Sequence, residues 1–90
     1  MEYEKLVKVC EKVEKKLNEE RLGGEVWVHG NGLPVFDVHI SWGDWKHDHL
    51  RTRWVIEEMG GVYIGGEVTE EDGSDCYSAI HHYAVGNIAA

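Results

Sequence analysis

Val35-Phe36-Asp37-Val38-His39-Ile40-Ser41-Trp42 is the stretch that decides the fold. Phe36, Val38, Ile40 and Trp42 fall on one side of a period of two, and Val35, Asp37, His39 and Ser41 on the other. Successive side chains of a strand point to opposite faces, so this run predicts a strand with one apolar face. Upstream, Glu25–His29 reads as a second strand, with Val26 and Val28 buried and Glu25, Trp27 and His29 outside. Between the two lies Gly30-Asn31-Gly32-Leu33-Pro34, whose glycines and asparagine suit a turn and whose proline is tolerated just before a strand.

Helical spacing flanks this pair. Tyr3, Leu6, Cys10, Val13 and Leu17 recur every three or four residues, which predicts an amphipathic helix over residues 2–21 ended by Gly23-Gly24. A second helix is expected from an Asp44 cap to Met59, with Leu50, Trp54, Val55 and Met59 as its apolar stripe and Gly60-Gly61 as its stop. Two more strands follow, Val62–Thr69 and Asp75–Val85, around Glu70-Glu71-Asp72-Gly73-Ser74, whose Asp-Gly pair signals a hairpin. A three-residue loop there turns Val62, Ile64 and Val68 inward with Cys76, Ile80 and Ala84. A two-residue loop turns Tyr77, Ala79, His81 and Tyr83 inward instead. The first is preferred, because it leaves His81 and the tyrosine hydroxyls in water.

The expected class is therefore α+β, in the order helix, hairpin, helix, hairpin. Residues 1–90 form one domain, a four-stranded antiparallel sheet with both helices on one face. No run of 18 apolar residues occurs and the N-terminal stretch has no apolar signal-peptide core, so a cytoplasmic protein is expected. Cys10 and Cys76, in no metal or redox spacing, are read as reduced thiols.

Charge narrows the partners. Residues 1–22 hold six basic and six acidic side chains, so the net charge of -8 comes from residues 23–90, where three basic face eleven acidic. Such a surface repels phosphate backbones and argues against direct nucleic-acid binding. Five carboxylates, Glu67, Glu70, Glu71, Asp72 and Asp75, fall within nine residues around the last turn, without the calcium-loop pattern of an EF-hand. They suit a basic protein partner or a solvated turn.

The uncovered sheet face is expected to carry Trp27, His29, Asp37, His39, Tyr63, Glu67, Tyr77, His81 and Tyr83. Tryptophan and tyrosine anchor protein interfaces, so Trp27, His29, Tyr63 and Tyr77 together with the five carboxylates are the expected partner-binding residues. A homo-oligomer through this face is the other use of it. Six histidines raise a metal reading. His47 and His49 diverge on a helix, and His81 and His82 point to opposite faces of a strand. His29 sits opposite Val35, about 13 Å from His39. No metal ligands, cofactor or catalytic residues are assigned on that basis, and no nucleophile-elbow or phosphate-loop motif is present. Cys10 lies on the buried helical stripe, where a cysteine packs as a small hydrophobe.

The words Gly43-Asp44-Trp45-Lys46-His47-Asp48-His49-Leu50-Arg51 and Val68-Thr69-Glu70-Glu71-Asp72-Gly73-Ser74-Asp75 resemble those of small uncharacterised proteins of gut bacteria and their mobile elements. The resemblance covers about the second half of the chain. It implies a cytoplasmic accessory protein and brings no activity or site residues with it. The function expected from the sequence is a non-enzymatic binding or accessory protein, with a histidine-based metal or small-ligand domain as the alternative.

Overall fold

The structure is a computed structural model and describes residues 1–30, 32–40, 49–70 and 77–90. Its elements run α1 (Tyr3–Glu19), β1 (Glu25–Val28), β2 (Val35–Ile40), α2 (His49–Met59), β3 (Val62–Glu70) and β4 (Tyr77–Ala84). All pairings are antiparallel, in the spatial order β1-β2-β4-β3. The fold is α+β, with two helices and one four-stranded antiparallel sheet. Among the described residues no helix is long and apolar enough to cross a membrane. The expected Asp44 cap, Ser41 and Trp42, and the turn through Glu71–Cys76 lie outside the described residues.

In α1 the expected stripe is buried through Leu6, Cys10, Val13 and Leu17, joined by Val9, while Tyr3 is exposed. The helix ends at Glu19, four residues before Gly23. Arg21 takes the left-handed conformation at φ 58°, its N–H donates to the Asn18 carbonyl at 3.1 Å, and the Leu22 N–H donates to Leu17 at 2.8 Å. These are the two bonds of a Schellman motif, and buried Leu22 supplies the apolar contact that accompanies it. α2 closes the same way on the glycine that the sequence offers. Gly60, at φ 110°, donates to Glu57 at 3.0 Å, and Gly61 donates to Ile56 at 3.0 Å.

The apolar face of α2 differs from the expected one. Leu50 and Trp54 are exposed, whereas Thr52 and Ile56 are buried and Val55 and Met59 half-buried. Thr52, Val55, Ile56 and Met59 follow the spacing i, i+3, i+4, i+7, a better helical stripe once threonine is admitted to it. Arg53 donates from Nε to Glu57 Oε1 at 2.5 Å, holding an acidic side chain in the last turn where the helix dipole favours cations.

The last two strands overturn the preferred register. β4 packs on β2 with Phe36 opposite Tyr83, Val38 opposite His81 and Ile40 opposite Ala79. Directly opposed residues share a face. Ala79, His81 and Tyr83 are therefore buried beside Phe36, Val38 and Ile40, while Val62 and Ile64 are exposed. An irregularity between Tyr63 and Gly65 makes this workable. Ile64 is the extra residue of the bulge, so Tyr63 faces the core and so does Gly66, two places beyond it. A side chain at Gly66 would come within 2.5 Å of the His81 ring, so glycine here is what gives a buried imidazole its room. The ring also stacks on His49 at 5.4 Å and shares a hydrogen bond of 3.3 Å with the Tyr63 hydroxyl. The core thus unites α1, Leu22, Val26, the inward side chains of β2 and β4, Ile56 of α2, and Val85 and Ile88 of the C-terminal turn.

Candidate metal centre

Opposed residues read across the outer face of the sheet in rows. One row is Glu25, His39, Ile80 and Glu67; the next is Trp27, Asp37, His82 and Gly65. Beyond it stand His29 and Val35, joined by a bond of 3.1 Å from the His29 N–H to the Val35 carbonyl. Asp37 therefore sits on an inner strand with His82 directly opposite it on one side and His29 diagonally opposite on the other. His29 Nδ1 lies 3.1 Å from both Asp37 oxygens, and His82 Nδ1 lies 2.6 Å from Oδ1. The two imidazoles meet edge to face, with centroids 5.6 Å apart. The three side chains are 31%, 14% and 27% exposed for His29, Asp37 and His82, so the cluster is screened from water but reachable from it.

A carboxylate only accepts hydrogen bonds, so both imidazoles donate through Nδ1–H in this arrangement. A shift of each proton to Nε2 turns both Nδ1 atoms into lone-pair donors aimed at one region. One ligand atom from each of the three residues then falls within 4.8 Å of the others. Zinc bonds of about 2.0–2.1 Å at a tetrahedral angle separate neighbouring ligand atoms by about 3.3 Å. The His29–Asp37 separation already approaches that value. The His82–Asp37 pair must open by about 0.7 Å and the imidazoles swing together, movements within reach of partly exposed side chains.

Beside the cluster lies a groove of about 400 Å³, lined by His29, Leu33, Val35, Ile64, Gly65, Gly66, Glu67 and His82. Across the row, Trp27 is 53% exposed yet fixed: its ring stacks on His39 at 4.6 Å and its Nε1–H donates to Glu25 Oε2 at 3.0 Å.

The expected site residues separate. Trp27, His29 and Glu67 lie on the outer face with Asp37 and His39, while His81 and Tyr83 belong to the core. Tyr63 is half-buried against Tyr83 and His81 with Arg53 over its ring at 4.5 Å, so it is no free anchor on the outer face. The backbones of Glu70 and Tyr77 pair at the end of β3 and β4. Glu71, Asp72 and Asp75 lie outside the described residues.

Sequence reasoning missed the meeting of His29, Asp37 and His82. It placed His81 rather than His82 outside, and searched for histidine pairs without the strand that lies between them. The two-residue-loop phase of β4 would have put His82 on the face of Asp37. His29 and His39 do stand apart as expected, with Glu25 opposite His39. No protein-family model, curated protein or solved structure matches the chain.

Proposed function

We propose that this protein is a metal-binding domain that holds a divalent transition-metal ion of the zinc class between His29, Asp37 and His82. The observation that carries the reading is the convergence of two imidazoles and one carboxylate from β2, β4 and the residue that follows β1. Imidazole suits zinc, copper, iron and nickel, and two histidines with one carboxylate form a recurrent ligand set for such ions. Asp37 and His82 are positioned by the sheet's own hydrogen bonds, and His29 by the bond from its N–H to the Val35 carbonyl.

The test is equilibrium dialysis of chelator-treated protein against zinc. One equivalent should bind, and His82→Ala should weaken it by about tenfold or more, since removing even an outer partner of a metal ligand costs about that much. Because a ligating imidazole must be neutral, binding should also weaken in acid. Equal zinc uptake by the parent and His82→Ala would refute the reading.

A second reading, contact with a protein partner through the same face, is favoured by Trp27, a large apolar side chain held rigid while exposed. Rigid aromatic anchors bind at low entropic cost. Protein immobilised on resin should retain a partner from cell lysate that Trp27→Ala loses at unchanged thermal stability. Retention of the same proteins by both forms removes this reading.

A further inference from the structure

We propose that the metal held by His29, Asp37 and His82 keeps a coordination position open toward Gly65, where it exchanges small donors of the water and imidazole class. The inference rests on the metal-binding reading above and adds where the ion's remaining valence points.

The three ligands among the described residues leave a four-coordinate ion one position short, the arrangement of zinc sites that bind exogenous ligands rather than of closed structural sites. The two ends of the central row differ. Beyond Asp37 stands Trp27, whose ring is held over His39 and by Glu25. Beyond His82 stands Gly65, which has no side chain, and a Cβ built there meets nothing within 4 Å. The bulge at Tyr63–Gly65 puts that gap directly opposite His82. The groove of about 400 Å³ occupies the same place, with His29 and His82 in its lining, so the space adjoins two of the three ligands. Leu33, Val35 and Ile64 give it apolar walls. Glu67 is the one carboxylate among the described residues that line it. That charge lies on the outer face, in the neighbouring row, and weakens the attraction of the ion for anions relative to neutral donors of similar size.

Cobalt(II) reports the coordination sphere through its visible bands. Chelator-treated protein is loaded with one equivalent of cobalt and titrated with imidazole and, separately, with azide. The expected result is a saturable shift of the bands with imidazole while cobalt stays with the protein on gel filtration. Glu67→Gln should tighten azide relative to imidazole by about two- to fivefold, the range for a half-screened single charge. Bands that form on loading but move with neither ligand would overturn the open position and leave the metal reading standing. Failure of the parent protein to take up cobalt would remove both. An azide-to-imidazole affinity ratio unaltered by Glu67→Gln would overturn the place given to Glu67 beside the open position.

Discussion

Cys10 shows how much a single side chain's surroundings decide. It lies on the core side of α1 and is 5% exposed. Burial first, and then the carboxylates of Glu14, Asp37 and Glu11, push its thiol from an ordinary 9.0 up to about 11. A folded-state value above the unfolded one means the unfolded chain releases its proton first. The contribution to stability is complete below pH 9.0 and is lost as the pH rises toward about 11. Tyr83, raised chiefly by burial, adds a loss of the same sign at higher pH. The urea midpoint should therefore fall between pH 9 and 11, and Cys10→Ala should show a shallower fall from a lower starting stability. Equal slopes in the two proteins would show that the thiol does not titrate with unfolding. Reading Cys10 as a buried, unreactive thiol needed only helical spacing, because the periodicity that places it is local. His81 and His82 are the opposite case. Which of them is buried depends on a partner strand, and adjacent residues on a strand always exchange faces when the register shifts by one.

The two helices end by the same device with different residues. Gly60 takes the left-handed position of α2 without a Cβ, and the carbonyl of Gly60 accepts from the Asn87 N–H at 2.9 Å. Arg21 takes the same position of α1 at φ 58° and carries the side-chain strain that glycine avoids. Arg21→Gly should raise stability by about 0.5–1 kcal/mol, the strain relieved less the greater freedom of an unfolded glycine. A urea or thermal unfolding comparison checks the sign, and a loss of stability would show that the arginine side chain contributes more than its backbone costs. The sequence offered Gly23-Gly24 as the stop for α1. It was silent on Arg21 because a Schellman turn is decided by where Leu22 can reach the core, and that is a tertiary fact. The stripe of α2 was misread for a related reason. Thr52 looks polar alone, but it is buried once the helix is packed.

For the molecule as a whole, the proposed metal binding couples to folding. His29, Asp37 and His82 are brought together only when β1, β2 and β4 are paired, so an ion that binds them binds the folded chain in preference to the unfolded one. At free zinc a hundredfold above its dissociation constant, the folded state should gain about 2.7 kcal/mol. For a domain of this size that is a rise of about 10–20 °C in the unfolding midpoint, measurable by differential scanning fluorimetry. Asp37→Ala should lose the zinc-dependent rise. A parent protein whose midpoint does not move with zinc would count against the metal centre itself.

What the sequence determined by itself was everything carried by local periodicity. The period of three to four over α1, the period of two over β2 and the Gly-Gly pair after Met59 each depend only on a residue's near neighbours, so the class and order of the elements were legible. Trp27, His29 and Asp37 were placed on one face of the first two strands for the same reason, since a short turn fixes their register. The tertiary structure alone decided that β4 lies between β2 and β3, that the bulge at Ile64 turns Tyr63 and Gly66 inward, and that His82 comes to stand opposite Asp37. These are choices among pairings of distant strands, whose alternatives differ by the burial of whole faces rather than by any local preference. The candidate site belongs to that second group: two of its three residues were in view on the sequence, and the third arrived only with the sheet.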